Sequence, residues 1–459
     1  MRKRVLRQAG ALTLAALMAA SMAGCSSSSE ETTAQAETSA AEAAEDGAEA
    51  EAADSTEAGS EAADSGEPVT IRLVHYMGEQ AKRDALDEIL AAFNEAYPNI
   101  TVDVEVLSSS SYLATYKNYI AAGDAPDIMF GKPQTMTEFV EGGYFMDLTG
   151  QQCLENVLPI LVDECTVNGG VYGFPIDAQV KGTFYNKKMF EEAGIEVPQT
   201  KTEFLAACDA FMEQGTYPLV HPYNFIHGVF HELDSYFTSM ADATGNGNVW
   251  MDSQNGVKEL SDNPTVVEAM EMFSQMASYK DAGDTAVDQT QGIQNFAAGQ
   301  RPMYINGGWL MGDVLAASPD GEFGMFPTPW SDTPEENKLW VGIDDTFIVS
   351  AQTEHPDEVM TFLNFLANDE SSQIWMNTAK LMTSNVNVST ENADPFIQEI
   401  KSYIDEDRIV SKSVNPDYTS EFSTAFRTKL QEFVTLDDSE RDVTKLLADI
   451  DAEIAAIRQ

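Results

Sequence analysis

Positive charge is what this chain has least of. Its 459 residues carry 26 Lys and Arg against 75 Asp and Glu, a formal net charge of −49. So acidic a surface repels phosphate backbones and anionic headgroups, which excludes nucleic acid as a partner; solubility outside the cell is the plain reading of the charge. Beyond the first two dozen residues no apolar run approaches the length of a membrane span. Only four cysteines occur, and no pair has zinc-ribbon spacing. Cys153, Cys165 and Cys208 read as small buried thiols in preference to a Cys153–Cys165 disulfide, which an oxidising compartment would allow. Enzyme signatures are missing as well: there is no G-x-S-x-G elbow, no P-loop and no H-E-x-x-H.

What is present begins at the N-terminus. Arg2, Lys3, Arg4 and Arg7 precede the short apolar stretch Ala11–Ala20, and Met22-Ala23-Gly24-Cys25 follows. A basic start, a short apolar core and small residues before a cut point form a secretory signal over residues 1–24. The Cys after Ala-Gly resembles the bacterial lipobox, whose thiol is diacylated and becomes the first residue. Removing four cations takes the mature chain to about −53. From Ser26 to Glu67 the chain holds only Ser, Ala, Thr, Gly, Gln, Glu and Asp. It cannot bury enough surface to offset ordering entropy, so residues 25–67 are expected to be a disordered acidic linker spanning roughly 35 Å.

Nearly 400 residues remain, enough for two cores. Val69–Val74 alternates as a strand, Leu86, Ile89, Leu90, Phe93 and Tyr97 form a helical stripe stopped by Pro98, and Ile100–Val106 alternates again. A helix over Tyr112–Ala122 ended by Gly123 and a short strand Ile128–Phe130 complete a βαβαβ rhythm. The rhythm restarts with a strand at 182–186, a helix at 202–213, a strand at 217–220, helices at 263–281 and 289–298, and a strand at 303–305. The last third is mainly helical: 356–367, 421–434 and a closing amphipathic helix through Ile457. Two α/β lobes fit this better than one large sheet.

Several ordered segments then resemble one family. Gly123-Asp124-Ala125-Pro126-Asp127-Ile128 looks like its first-lobe marker. Asn168–Pro175 continues through Phe184-Tyr185-Asn186-Lys187-Lys188-Met189-Phe190 to Ala193-Gly194-Ile195, and Phe296–Trp309 matches its glycine-tryptophan segment. Residues 68–459 resemble the carbohydrate-binding (maltose-binding-like, family 1) solute-binding lipoproteins of bacterial ABC importers. The resemblance implies a two-lobe, type II periplasmic-binding-protein-like fold whose lobes close on a ligand by hinge motion. Residues 68–178 plus 343–390 would form the N-terminal lobe, and 182–340 plus 394–459 the C-terminal lobe. It also implies a carbohydrate ligand, permease subunits as partners, contact with the membrane through the lipid only, and a monomer on the outer face of the cytoplasmic membrane. No cofactor, metal or catalytic residue is expected. A cell-surface polysaccharide-active enzyme, or a receptor module sensing a non-sugar solute, are the alternatives.

A sugar offers an apolar C–H face and a rim of hydroxyls, so a site needs flat rings and fixed polar groups. By the resemblance Trp309 stacks on ligand, and Asp177 and Gln179 lie between the lobes as polar contacts. Tyr76, Glu79 and Gln80 follow the first strand, Lys132 and Gln134 the third, and His221 and Tyr223 the second-lobe strand. Trp340 and Asp344 complete the set. Gly131 stands where many oligosaccharide binders carry an aromatic, so Tyr76, Trp330 or Trp340 must supply a second stacking face. Asp344-Asp345 is poorly placed for acid–base work, because neighbours on a strand point to opposite faces. His227 and His231 have helical metal-ligand spacing but read as ordinary helix histidines, and Asp242–Asp252 lacks the ordered acidic spacing of a calcium loop.

Mass spectrometry of native membranes is expected to find a diacyl group on Cys25 as the first residue. Cys25→Ser should release or misprocess the protein without unfolding it, since the linker separates anchor from fold.

Overall fold

The computed structural model describes residues 67–108, 111–344, 346–411 and 420–458. Cys25, the acidic linker up to residue 66 and Asp345 lie outside the described residues.

A first sheet holds β1 (Val69–His75), β2 (Ile100–Val106) and β3 (Ile128–Phe130) in parallel, with β1 between the other two. The β1–β2 register runs from Val69 opposite Ile100 to His75 opposite Val106. Ile71, Leu73 and Val74 are buried, and the helix Gln80–Ala96 lays Ala85, Leu86, Ile89 and Phe93 into the core. It ends at Tyr97, ahead of Pro98, which cannot continue a helix. The second crossover helix, Tyr112–Ala122, ends at Gly123 in the left-handed region (φ 70°), where glycine carries no Cβ penalty. These elements match the sequence expectation.

A small hairpin, β4 (Thr166–Val167) with β5 (Gly170–Val171), precedes β6 (Phe174–Pro175). The chain then enters a second sheet as β7 (Gln179–Asn186). β8 (Leu219–Val220), β9 (Met303–Gly307), β10 (Phe323–Phe326), β11 (Leu339–Gly342) and β13 (Ile409–Val410) complete that sheet, in the order β13-β11-β7-β9-β8 with β10 also on β7. β12 (Thr346–Val349) returns to the first sheet between β3 and β6. The chain therefore passes between sheets over residues 176–178 and again between Gly342 and Thr346. The segment 382–385 runs beside the first passage: Ala178 N donates to Met382 O at 2.8 Å and Ser384 N to Ile176 O at 3.0 Å. The helix Pro395–Asp405 that follows is tied to the second sheet, where Glu399 accepts from Tyr185 Oη (2.9 Å) and Met325 N (3.0 Å).

Local chemistry explains most boundaries. Thr200 and Glu203 form a reciprocal capping box that starts the helix Lys201–Glu213, and Asp442 caps Val443–Ile457 through Lys445 N. Two boundaries differ from the sequence reading by three residues or more. β7 begins three residues early, because Gln179, Val180 and Lys181 pair with β11, a partner some 160 residues away. The helix from Pro264 stops at Met276 and gives way to a 3₁₀ turn, Ala277–Tyr279. Cys153, Cys165 and Cys208 are unpaired and buried; burial pushes the Cys153 thiol up to about 12 and the other two higher. Among the described residues no helix is long and apolar enough to cross a membrane.

Gly182 sits in the middle of β7, where a Cβ would lie 2.7 Å from the backbone oxygen of Phe326. Backbone in a paired strand cannot yield as a side chain can. Gly182→Ala is expected to destabilise the fold by about 1–3 kcal/mol, read from urea unfolding curves against the wild type.

Candidate functional site

The two passages bring β7 and β11 side by side at the junction of the sheets. Trp340 lies directly opposite Lys181, and Gly342 opposite Gln179. On the other edge of β7, Gly307 of β9 lies opposite Lys181. Directly opposed residues share a face of the sheet, and so do residues two apart on a strand. Gln179, Lys181, Trp340, Gly342 and Gly307 therefore form one patch.

Two indoles shape it. A Cβ on Gly307 would come within 2.0 Å of the Trp309 ring, and one on Gly342 within 2.6 Å of the Trp340 ring. Each tryptophan folds back over a glycine two residues away, and any larger residue there would lift the ring. Trp309 keeps partial exposure and meets His231 edge-on at 5.2 Å. Trp340 is nearly buried, and the Lys181 ammonium covers its ring at 4.0 Å from the centroid. The helix Ile226–Ala243 packs against β7, β9 and β11 and supplies both His231 and Asp234, which pairs with Lys181. Burial holds His231 well below the ordinary histidine range, so it is neutral at pH 7.

Asp177 lies in the passage itself and Gln179 at its exit, the first residue of β7. Both are buried, and Gln179 Nε2 donates to Asp177 Oδ2 at 2.7 Å. On the first-lobe side the ends of β1 and β3 gather a charged cluster. Asp344 pairs with Lys132 at 3.1 Å and Lys82 at 3.4 Å, and Glu79 reaches Lys82 at 3.8 Å. The Asp344 carboxyl sits well below the usual carboxylate range; burial alone would raise it, but Lys132 and Lys82 outweigh that. Tyr76 is half-buried and stands edge-on to Tyr112 at 4.6 Å and to Phe130 at 6.2 Å. Glu164 adds a half-buried carboxylate that accepts from Ile343 N (2.9 Å) and Ser411 Oγ (2.7 Å), joining the helix Pro159–Glu164 to the second passage and to the end of β13.

Not every candidate joins this gathering. Gln80 is exposed and bonds within its own helix, to Asp84 and Arg83. Gln134 lies partly exposed in the 3₁₀ turn Pro133–Thr135. His221 and Tyr223 stack on each other at 4.7 Å and are both buried around Glu232, with His221 Nδ1 2.9 Å from its carboxylate. Trp330 is a core residue whose indole N–H is used by Glu336 O and Ser239 Oγ. Gly131 is packed under Met136, whose sulfur would lie 2.6 Å from a Cβ there, so an aromatic at this position would not fit. His227 lies on a helix but contacts Arg427, and among the described residues no three His, Cys, Asp or Glu side chains gather to hold a metal.

Sequence reasoning missed Lys181, Asp234, Lys82 and Glu164, and read His231 as an ordinary helix histidine. For Lys181 and Asp234 a signal existed: Lys181 is the one charge in Gln179–Tyr185, and Asp234 with Glu232 stands in the otherwise uncharged run Glu232–Ala241. Charged residues are rarely fully buried unless paired, so two such positions call for each other.

His75, at the end of β1, sets a pH dependence. Burial, helped by Arg83, lowers its imidazole to about 4, and its Nδ1 accepts from Met77 N at 3.1 Å. The unfolded chain binds that proton near 6.5 and the folded chain does not. Stability is therefore expected to fall as pH drops from about 6.5 towards 4, in urea titrations across that window. His75→Asn should flatten the slope.

Comparison with known proteins places the chain. The multiple sugar-binding protein of Streptococcus mutans is 26% identical over 311 residues, covering 65% of this chain and 72% of that protein. The melibiose/raffinose/stachyose-binding protein MelE of Bacillus subtilis is 23% identical over 346 residues, covering 72% and 79%. Apo RafE from Streptococcus pneumoniae superposes with a TM-score of 0.73 at 23% identity, over 86% of this chain and all of that one. RafE in complex with raffinose gives 0.69 at 24%, over 85% and 100%. The two sheets thus belong to the two-lobe fold of solute-binding proteins. The profile described as bacterial extracellular solute-binding protein matches residues 78–373, well over half of the sequence, and the chain belongs to that family.

Proposed function

We propose that this protein binds an extracellular carbohydrate between its two lobes and, by hinge closure, delivers it to the permease subunits of an ABC importer. The observation that carries the reading is the patch at the sheet junction, with a partly exposed Trp309 folded over Gly307 and the Asp177–Gln179 pair where the chain passes between the sheets. A flat indole suits the C–H face of a sugar, and the amide and carboxylate suit its hydroxyls. Relatives named for multiple sugars and for melibiose, raffinose and stachyose support the same class.

In this reading residues 68–178 with 343–390 form one lobe, and 182–340 with 394–459 the other. Tyr76, Glu79, Lys132 and Asp344 face the ligand from the first lobe, Trp309 from the second. Trp340 contributes to the floor under Lys181 more than to a stacking face. Cys25 carries the lipid that holds a monomer on the outer face of the membrane, with the acidic linker as a leash. Closure requires that the ligand touch both lobes, since equal affinity for open and closed forms shifts nothing.

Isothermal titration against melibiose, raffinose, stachyose and maltotriose tests the class, and binding of none of them would sink it. With the sugar that binds, Trp309→Ala is expected to cost about 2–4 kcal/mol, roughly 30- to 1000-fold in affinity. Gln179→Ala should cost about 1–2 kcal/mol, because water partly replaces a neutral hydrogen bond. Wild-type affinity in a folded Trp309→Ala variant would make Trp309 a structural residue.

A further inference from the structure

Lys181 is the only cation inside β7, a strand otherwise built from uncharged residues. Its ammonium has three N–H donors. One is taken by Asp234, and the ammonium lies over the Trp340 ring. Asp234 is wholly buried and also accepts from Thr238 Oγ1 at 3.4 Å, so it has no surface of its own to offer a ligand. Among the described residues no other acceptor is hydrogen-bonded to Lys181.

Two residues earlier, on the same face of the strand, Gln179 presents the complementary need. Its amide N–H is given to Asp177, which fixes the amide orientation, because a carboxylate only accepts. That leaves Gln179 Oε1 buried without a donor. A buried carbonyl without a partner is costly, and native structures seldom leave one. A neighbouring pair of unused donors and an unused acceptor describes the hydrogen-bonding character of a hydroxyl, which both donates and accepts.

From this juxtaposition we propose that Lys181 is a specificity-determining ligand contact: its ammonium donates to a ligand hydroxyl oxygen while that hydroxyl, or its vicinal neighbour, donates to Gln179 Oε1. Asp234 is a positioning residue that aims the ammonium and balances its charge. Trp340 below and Trp309 alongside wall off the pair, so it reads a hydroxyl on a ring that the indoles hold. The group recognised is an uncharged polyhydroxylated ring with at least one hydroxyl turned to the floor. This rests on the carbohydrate reading above.

The experiment titrates wild type, Lys181→Met and Lys181→Arg with melibiose, raffinose, stachyose and maltotriose, and then with monodeoxy analogues of whichever sugar binds wild type. Loss of a charge-assisted hydrogen bond predicts a 10- to 100-fold weaker Kd for Lys181→Met, in the range of about 1.5–3 kcal/mol. One deoxy analogue should lose affinity for wild type yet lose nothing further in Lys181→Met, the non-additivity that direct contact requires. Asp234→Asn should weaken binding in wild type and have no effect in the Lys181→Met background. Equal affinities within twofold for a folded Lys181→Met would overturn the proposal and assign the two atoms to buried water, with the carbohydrate reading intact. If wild type binds no panel sugar, the carbohydrate reading itself fails and the proposal with it. If Lys181→Met does not fold, Lys181→Arg decides: an unchanged ranking of the deoxy analogues overturns the proposal, and a changed ranking supports it.

Discussion

The pairing of β7 on both of its edges is the constraint from which the rest follows. One edge takes β9 along residues 181–185, and the other takes first β11 and then β10. No position on that strand is free to shift, because a one-residue slip would turn every side chain to the wrong face. The strand also begins directly after the three-residue passage from the first sheet. The passage between the sheets is thus followed at once by a strand clamped on both edges. Gln179 and Lys181, at the clamped end, are held in place by backbone pairing to β11, and Lys181 by β9 as well.

Much of the architecture was legible because it is local. Alternation at Val69–Val74 and Ile100–Val106, the stripe from Leu86 to Tyr97, and Gly123 with its left-handed backbone each report a period or a stop that the chain carries within a dozen residues. What sequence did not reveal is long-range. The early start of β7 depends on β11, and the Lys181–Asp234 pair joins residues 53 apart. His221 and Tyr223 show the converse: their place after a strand suggested ligand contacts, yet Glu232 on the next helix draws both inward. Asp177, Gln179 and Trp309 did arrive at the sheet junction. Lys181 was overlooked because a strand lysine reads as solvated unless its counter-charge is known.

The polar groups near the junction differ in how far they are held in one protonation state. Asp344 is kept ionised by two lysines, while burial pushes Glu164 towards its neutral form, and Ile343 N, Ser411 Oγ and the lysines only partly oppose that. His231 stays neutral. Asp344 and His231 thus present settled charge states, which suits recognition. The family to which the chain belongs is one of solute binders, and this chemistry fits it.

The three unpaired thiols have a practical bearing. Cys153, Cys165 and Cys208 are buried, and each is harder to ionise than an ordinary thiol. Thiolate is the form that reacts with maleimides and oxidants, so these side chains are chemically silent at neutral pH. A variant without Cys25 would thus be a clean background for site-directed labelling. One cysteine introduced on each lobe would carry a fluorophore pair with no competition from native sulfur. The distance between those dyes could then be followed one molecule at a time.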